Sequence, residues 1–136
     1  MLSKHAERCK YPHGHTRTVE VVVSGESLDD HGMLVDFKAL KLALEDHIDR
    51  YDHAMAVNSN DPLLPTLKEL YPSEAIVVFE NLEPTTEAIA REIFDFVDLT
   101  LNQGFQRDHY AIPAGHVRLE RVRVWETPSS WAEYGT

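Results

Sequence analysis

Residues 17–24 read Arg-Thr-Val-Glu-Val-Val-Val-Ser, and this stretch decides which kind of fold the chain can adopt. Successive side chains of an extended chain point to opposite faces, so Val19, Val21 and Val23 share one face. Mostly polar side chains occupy the other face. This period of two residues predicts a β-strand. The Ser-, Asp- and Gly-rich residues 25–32 that follow predict a turn or loop.

Two amphipathic helices are predicted from apolar residues that recur every three or four positions. Asp36 is a suitable N-cap for the first helix, which should end near Tyr51 or Asp52. Thr85 or Thr86 can cap the second helix. The predicted apolar stripes comprise Phe37, Leu40, Leu44, Ile48 and Tyr51 in the first helix, and Ile89, Ile93, Val97 and Leu101 in the second.

The remaining segments are shorter. The order of strand, helix, minor elements, helix, strand and strand predicts an α+β domain, with helices on one face of a mostly antiparallel sheet. A thin sheet with open edges, crowded at one end by Trp125, Trp131 and Tyr134, indicates oligomerisation. The predictions are loops at 58–65 and 102–115, a helical turn at 66–70, strands at 75–79, 117–125 and 131–134, and a turn at 127–130.

Length and composition restrict the class of protein. A chain of 136 residues predicts one domain. The formal net charge of −10 should repel phosphate backbones, so we expect no nucleic-acid partner, although a small anionic substrate is compatible with it. A single cysteine forms no internal disulfide and suits a reducing cytoplasm. We see no export leader and no apolar run that predicts a membrane span.

His13-Gly14-His15 is a candidate for part of a metal site. Two histidines two positions apart on extended chain lie on the same face, and neutral imidazole is the commonest zinc ligand. A short motif of this kind is, however, more often a pair of exposed loop histidines. Catalytic zinc takes three protein ligands, and His5 is the nearest candidate for the third. No spacing argument favours the other histidines, which are His31, His47, His109 and His116.

Three further features could carry chemistry, although each also has an ordinary structural explanation. Cys9 lies among basic residues that favour the thiolate, yet a lone cysteine is usually a small buried apolar residue. Asp52-His53 could be a carboxylate-supported proton shuttle, or simply a histidine favoured by a helix C-terminus. Glu126 could accept paired hydrogen bonds from the amidine-like edge of a pterin or guanine ring, or be a rim residue.

Taken together and in this order, these features resemble the 6-pyruvoyltetrahydropterin synthase family, and within it the 6-carboxytetrahydropterin synthase branch of bacteria. The three residues between Cys9 and His13 resemble the carboxy branch in particular. The segments that carry the resemblance are Cys9-x-x-x-His13-Gly14-His15, residues 32–41 (Gly-Met-Leu-Val-Asp-Phe-Lys-Ala-Leu-Lys), Asp52-His53-x-x-x-x-Asn58, residues 84–90 (Pro-Thr-Thr-Glu-Ala-Ile-Ala), and residues 122–127 (Val-Arg-Val-Trp-Glu-Thr) with Tyr134 after them.

The resemblance implies a T-fold, an antiparallel sheet with two helices packed on one face. Subunits of this fold join into barrels, typically a homo-hexamer made of two trimers with active sites between subunits. The expected reaction converts 7,8-dihydroneopterin triphosphate into 6-carboxy-5,6,7,8-tetrahydropterin, with loss of acetaldehyde and triphosphate, on the route to queuosine. The expected class of enzyme is therefore a lyase.

The resemblance also implies roles for individual residues. Zinc would be held by His13 and His15 and would act as a Lewis acid on the substrate hydroxyls. Cys9 would move protons, with His53 and its partner Asp52 as the second acid/base. The substrate-binding residues implied are Glu126, which would anchor the pterin ring, the main chain near Thr127, and Thr85 and Thr86 in the pocket wall.

Two departures from the family stand out. The family begins with a strand that ends in an Ala-Ala-His-like motif and supplies the first zinc ligand, whereas nothing here matches it. Either the chain given starts within or just after that strand, or His5 has been recruited as the ligand. Residues 59–83 are interpreted as a surface insertion with its own strand. The alternative functions are 6-pyruvoyltetrahydropterin synthase and a non-catalytic pterin- or purine-binding T-fold protein.

Overall fold

The computed structural model describes all residues from Met1 to Thr136 and contains seven strands and three α-helices. None of these helices combines the length and apolar character that crossing a bilayer requires. In chain order the elements are β1 (Thr18–Ser24), α1 (Phe37–Asp49), β2 (Met55–Asn58), α2 (Leu64–Leu70), β3 (Ile76–Phe79), α3 (Thr86–Gln103), β4 (Phe105–Arg107), β5 (Tyr110–Ile112), β6 (Arg118–Thr127) and β7 (Ser130–Gly135).

The main sheet is antiparallel and has the order β1-β6-β7. Strand β6 lies at its centre, and the pairing with β1 runs from Thr18 opposite Trp125 to Ser24 opposite Arg118. Val122 and Val124 alternate onto the face that packs against helix α3, and both are fully buried. The strands predicted from residues 17–24, 117–125 and 131–134 are thereby confirmed, as is the α+β class with an antiparallel sheet.

Helix α3 covers the sheet as its apolar stripe predicts. All four predicted stripe residues are buried, from Ile89 to Leu101. Thr85 is the N-cap, because its hydroxyl oxygen accepts a hydrogen bond from the Ala88 N–H at 3.1 Å. The buried stripe of α3 and the inner face of the main sheet form one hydrophobic core.

Helix α1 follows its prediction less closely. Asp36 is the N-cap, accepting a hydrogen bond from the Lys38 N–H at 2.7 Å. The helix ends at Asp49, slightly before the predicted end. Phe37 was expected in the buried stripe, but it is 85% exposed. Helical spacing assigns a residue to one face of the helix. Whether another element covers that face at the first turn, where Phe37 lies, depends on the tertiary structure.

The predictions of loops at 58–65 and 102–115 are wrong in part. Strand β2 ends at residue 58 and pairs in parallel with β3, so the fold is not wholly antiparallel. Strands β4 and β5 form an antiparallel hairpin within the second segment. Strands of three or four residues are too short to show a period of two, so their pairing is decided by partners distant in sequence. A third helix, α2, extends the turn predicted at 66–70.

Gly104 allows the chain to turn sharply from α3 into the β4–β5 hairpin. Its φ of +83° lies in the region that favours glycine, and an added Cβ would lie 2.9 Å from the Ala114 nitrogen. Residues 1–7 form no strand. The interpretation of residues 59–83 as an insertion, the single T-fold domain with a missing first strand, and the barrel assembly all stay predictions.

Candidate functional site

An open cleft of about 1050 Å³ lies where the main sheet, the start of α3, the end of α1 and the N-terminal segment meet. Nearly all of the site residues predicted from sequence line it, although they come from distant parts of the chain. Thr127 is the exception, because its exposed hydroxyl accepts a hydrogen bond from the Ser129 N–H in the β6–β7 turn. The predicted residues that line the cleft are His5, Cys9, His13, His15, Asp52, His53, Thr85, Thr86 and Glu126.

The extended chain leading into β1 runs along the cleft, which all of residues 12–17 line, among them His13, His15 and Arg17. The ring centroids of His13 and His15 are 4.9 Å apart, which confirms that the two imidazoles lie side by side. The Nδ1 of His13 lies 2.6 Å from the Tyr11 carbonyl oxygen. Because a carbonyl only accepts, Nδ1 carries the proton, and the Nε2 lone pair remains available for a metal ion.

His15 is held in the form that a metal ion requires. Burial lowers the pKa of His15, and the positive charge of Arg17 lowers it further, which outweighs the opposite effect of Glu126. A neutral imidazole at neutral pH offers a lone pair without first having to lose a proton. The lowered pKa therefore leaves a lone pair of His15 free at neutral pH, although the Arg17 charge that contributes to it would also repel a metal cation.

His13 and His15 could contribute two imidazoles to a metal site, but no third metal-binding side chain is arranged beside them. No cluster of three His, Cys, Asp or Glu side chains is arranged to hold a metal. His5 lines the same cleft, but its Nδ1 accepts a hydrogen bond from the Glu7 N–H at 3.0 Å. The donor set thus fits two of the three usual positions of catalytic zinc. The assignment of His5 as the third ligand stays a prediction.

Glu126 lies at a β-bulge on the rim of the cleft. The register of β6 against β7 is interrupted between Trp125 and Thr127, which leaves the residue between them out of the ladder. Bulges of this kind redirect side chains and are frequent beside active sites. Oε1 of Glu126 accepts a hydrogen bond from the Thr86 hydroxyl at 3.1 Å. It also lies 3.5 Å from His15 Nε2 and 3.6 Å from Arg17 Nη2, while Oε2 has no partner within the protein.

Asp52 and His53 form a hydrogen-bonded pair, although neighbouring residues need not face each other. His53 Nδ1 lies 2.7 Å from Asp52 Oδ1. The left-handed backbone of His53, with a φ of +52°, accompanies this arrangement just after α1. His53 is 93% exposed, so its Nε2 is free to exchange protons with a ligand or with water. The pair is therefore arranged as a carboxylate-supported acid/base.

Cys9 lies in a short 3-10 turn, Arg8–Lys10. The N-terminal segment before it is held by Glu83, which was not predicted as a site residue. The Glu83 carboxylate accepts hydrogen bonds from the Ser3 N–H at 3.0 Å, the Ser3 hydroxyl at 2.6 Å and the Lys4 N–H at 3.1 Å. Partial burial acts to raise the pKa of Glu83, but these bonds and one from Asn58 outweigh it, so the pKa is lowered. No local pattern indicates a contact that spans about 80 residues.

Two other contributors to the cleft wall, Tyr51 and Arg17, also escaped prediction as site residues. The Tyr51 hydroxyl donates to Glu92 Oε2 at 2.6 Å, and His47 Nε2 lies 2.7 Å from Oε1 of the same carboxylate. His47 Nε2 is buried without a hydrogen bond of good geometry, so its approach to Glu92 is a close polar contact only. Burial and the bond to Glu92 raise the pKa of Tyr51, which keeps its hydroxyl a donor.

Arg17 could have been found from sequence, since it continues the alternation of His13 and His15. Its guanidinium lines the cleft, and its Nε is buried with no hydrogen-bond partner. A buried donor without a partner is uncommon in folded proteins. Arg17, which directly precedes strand β1, therefore belongs to the site.

The fold and this cleft define a class of protein: an α+β enzyme whose site joins an imidazole pair, a thiol, an Asp–His pair and an anchoring carboxylate. The family described as 6-pyruvoyl tetrahydropterin synthase matches residues 1–136. The chain therefore belongs to the 6-pyruvoyl tetrahydropterin synthase family.

Individual relatives agree with this assignment. The chain is 33% identical to 6-carboxy-5,6,7,8-tetrahydropterin synthase of Aquifex aeolicus over 133 residues, which cover 96% of this chain and 78% of that one. It is 31% identical to the synthase of the same name from Bacillus subtilis over 129 residues, covering 95% of this chain and 71% of that one. The prediction of an enzyme of this lyase type is confirmed.

A solved structure agrees with the fold. The 6-pyruvoyl tetrahydropterin synthase of Plasmodium vivax superposes with a TM-score of 0.63 at 17% identity, covering 91% of this chain and 80% of that one. At this level of identity the likeness supports the fold alone.

Proposed function

We propose that this protein converts 7,8-dihydroneopterin triphosphate into 6-carboxy-5,6,7,8-tetrahydropterin, releasing acetaldehyde and triphosphate, as a step toward queuosine and related deazapurines. The observation that supports this most directly is that one cleft gathers a thiol, an Asp–His pair, two adjacent imidazoles and a carboxylate from three distant segments. Each of these groups has a task in a reaction that requires proton transfers on a side chain attached to a pterin ring. The carboxytetrahydropterin synthases among the relatives support the same reaction.

The ring of the substrate would be anchored by Glu126. Its Oε2 is free, and its Oε1 is held in place by the Thr86 hydroxyl, so the carboxylate is oriented before a ligand arrives. A carboxylate that accepts two N–H donors from one heterocycle edge gives both affinity and orientation. Thr85 and Thr86 lie beside it at the start of α3 and form part of the wall.

A zinc ion would be held by His13 and His15, with His5 as the candidate for the third ligand. When bound, it would supply Lewis-acid chemistry to the side-chain hydroxyls of the substrate. The chain's own groups would move the protons. Cys9 would accept or donate a proton at the substrate side chain, and His53 would be the second acid/base, with Asp52 fixing its tautomer.

A homo-hexamer would complete the barrel that the family forms. Strands β1 and β7 leave their outer edges unpaired in the single chain, and open edges of this kind pair readily with another chain. Trp131 lies on the edge strand β7 and is 47% exposed, which an interface would cover. Light scattering at several protein concentrations tests this assembly.

The reaction is tested by incubating the purified protein with 7,8-dihydroneopterin triphosphate and identifying the products by mass spectrometry. Acetaldehyde and the carboxy product are expected. Release of triphosphate without acetaldehyde would instead indicate the pyruvoyl synthase reaction, and binding without turnover would indicate a non-catalytic pterin-binding protein. Folded Cys9→Ala protein should be inactive, and full activity of that variant would refute the proposed role of the thiol.

Metal content is tested separately, by elemental analysis of the protein and of its His13→Ala variant. About one zinc per subunit, lost in the variant, is the expected result. Zinc that stays bound in the variant would contradict the proposed ligand.

A further inference from the structure

Arg17 and Glu126 together present a directional hydrogen-bonding edge to the cleft. Arg17 lies in the chain next to Thr18, which pairs with Trp125, so Arg17 and Glu126 face each other at the end of the β1–β6 ladder. Arg17 Nη2 is 3.6 Å from Oε1 of Glu126, and both side chains line the cleft. A guanidinium only donates and a carboxylate only accepts. The edge therefore runs acceptor, acceptor, donor, in the order Oε2, Oε1 and guanidinium.

The buried Nε of Arg17 argues that this residue does more than neutralise Glu126. That nitrogen is shielded from solvent and donates to no protein group. The protein thus leaves part of the donor capacity of Arg17 unused, and the exposed end of the guanidinium lines the cleft beside Glu126, where a ligand acceptor would meet it. The Thr86 hydroxyl holds the neighbouring Oε1 in place, so the donor and the two acceptors have a fixed order.

We propose that Arg17 is a specificity-determining residue that donates to the 4-oxo group of the bound pterin, while Glu126 accepts from its 2-amino group and N3–H. This inference rests on the proposed function, because it assumes that the ring is anchored by Glu126. The 2-amino-4-oxo edge runs donor, donor, acceptor, which is the complement of the protein edge. A ring with an amino group in place of the 4-oxo group runs donor, acceptor, donor. It matches only the outer Oε2 position, because it sets an acceptor against Oε1 and a donor against the guanidinium.

The test compares the binding of pterin and 2,4-diaminopteridine by isothermal titration calorimetry at pH 7, where both are mainly uncharged. The wild-type protein should prefer pterin by on the order of 100-fold or more, because the diamino ring is mismatched both at Oε1 and at the guanidinium. Arg17→Met, which keeps the apolar stem of the side chain, should weaken pterin binding at least about tenfold and lower the preference by a similar factor, leaving the part that comes from N3–H and Glu126. Arg17→Lys keeps the positive charge but lacks the planar guanidinium with its fixed N–H donors, so its preference for pterin should be intermediate.

Arg118→Met is the matched control, because Arg118 is exposed at the opposite end of β6 and pairs only with Glu120. It should leave both affinities unchanged. Circular dichroism confirms that each variant is folded. The inference is overturned if a folded Arg17→Met protein keeps the wild-type preference for pterin. If the Met variant fails to fold, the same result for Arg17→Lys overturns it.

Glu126→Gln separates this inference from the proposed function. If that variant binds pterin as well as the wild type does, the anchor itself is wrong, and both the proposed binding mode and the role of Arg17 are refuted. If it loses pterin binding while Arg17→Met leaves the preference intact, only the role of Arg17 is refuted. If Glu126→Gln loses pterin binding and Arg17→Met lowers the preference for pterin, the proposed binding mode and the role of Arg17 are both supported.

Discussion

Replacing Glu92 tests whether a polar bridge between α1 and α3 holds the end of α1 that carries the Asp52–His53 pair. Glu92 on α3 accepts a hydrogen bond from Tyr51 at 2.6 Å and lies 2.7 Å from His47 Nε2, so both partners come from α1 or its C-terminal end. Glu92→Gln keeps the shape but removes the charge. We expect it to lower the free energy of unfolding by about 1–2 kcal/mol at pH 7, because charge-assisted bonds become neutral ones.

The pH dependence of this loss has a definite sign. Burial acts to raise the pKa of Glu92, but the close contact with His47, the hydrogen bond from Tyr51 and the charge of Arg50 outweigh it, so the pKa is lowered. A carboxyl with a lowered native pKa stabilises the fold above its unfolded pKa, near 4.3, and this stabilisation is lost as pH falls through the native value. The difference between Glu92→Gln and wild type should therefore shrink toward zero in the acid range.

Urea denaturation at fixed protein concentration, at pH 7 and again near pH 3, measures this difference. Asp95→Asn on the same helix is the control, because Asp95 is exposed and its contact with Arg91 is long, at 3.9 Å. It should change stability by less than about 0.5 kcal/mol. A double-mutant cycle with Tyr51→Phe should give a coupling energy of about 1 kcal/mol. Equal stability of wild type and Glu92→Gln at pH 7, or a difference independent of pH, would refute the reasoning.

Three further substitutions test the N-terminal segment held by Glu83, the turn at Gly104 and the exposed side chain of His53. Glu83→Ala removes the acceptor of three hydrogen bonds, so hydrogen exchange in residues 1–10, followed by mass spectrometry, should accelerate about tenfold or more, and unchanged exchange would contradict the contact. Gly104→Ala should lower thermal stability by at least about 1 kcal/mol, because φ is +83° and the new Cβ would lie 2.9 Å from a backbone nitrogen; an unchanged melting temperature would exclude this strain. His53→Ala should abolish acetaldehyde release yet change stability by less than about 0.5 kcal/mol, since the side chain is 93% exposed, and comparable loss of both would indicate a structural role.

Residues with a local cause were predicted well. The caps at Asp36 and Thr85 and the buried stripe of α3 depend on interactions within one or two turns, so the sequence carries the whole signal. The same holds for the side-by-side arrangement of His13 and His15, which follows from the alternation of an extended chain.

Residues whose role depends on a distant partner were not predicted. Strand β2 becomes a strand only because β3 lies beside it, and four residues show no usable period by themselves. Phe37 has the spacing of a core residue but lacks an element to cover it. Glu83 looks like an ordinary surface charge in the sequence, and only its contact with Ser3 shows that it holds the N-terminal segment. The sequence places Arg17 in line with His13 and His15, but only the structure shows that it faces Glu126.

The sequence by itself determined the family, the α+β class and most of the residues that line the cleft, because motifs, caps and periodicity are local and are written in consecutive residues. Only the tertiary structure decided which of those residues meet. It placed Glu126 at a bulge opposite Arg17, brought both to the cleft that His13 and His15 line, and arranged no third metal-binding side chain beside those two histidines. The physical reason is that these contacts depend on strand register and helix packing, which bring together groups that are separated by up to about a hundred residues of chain.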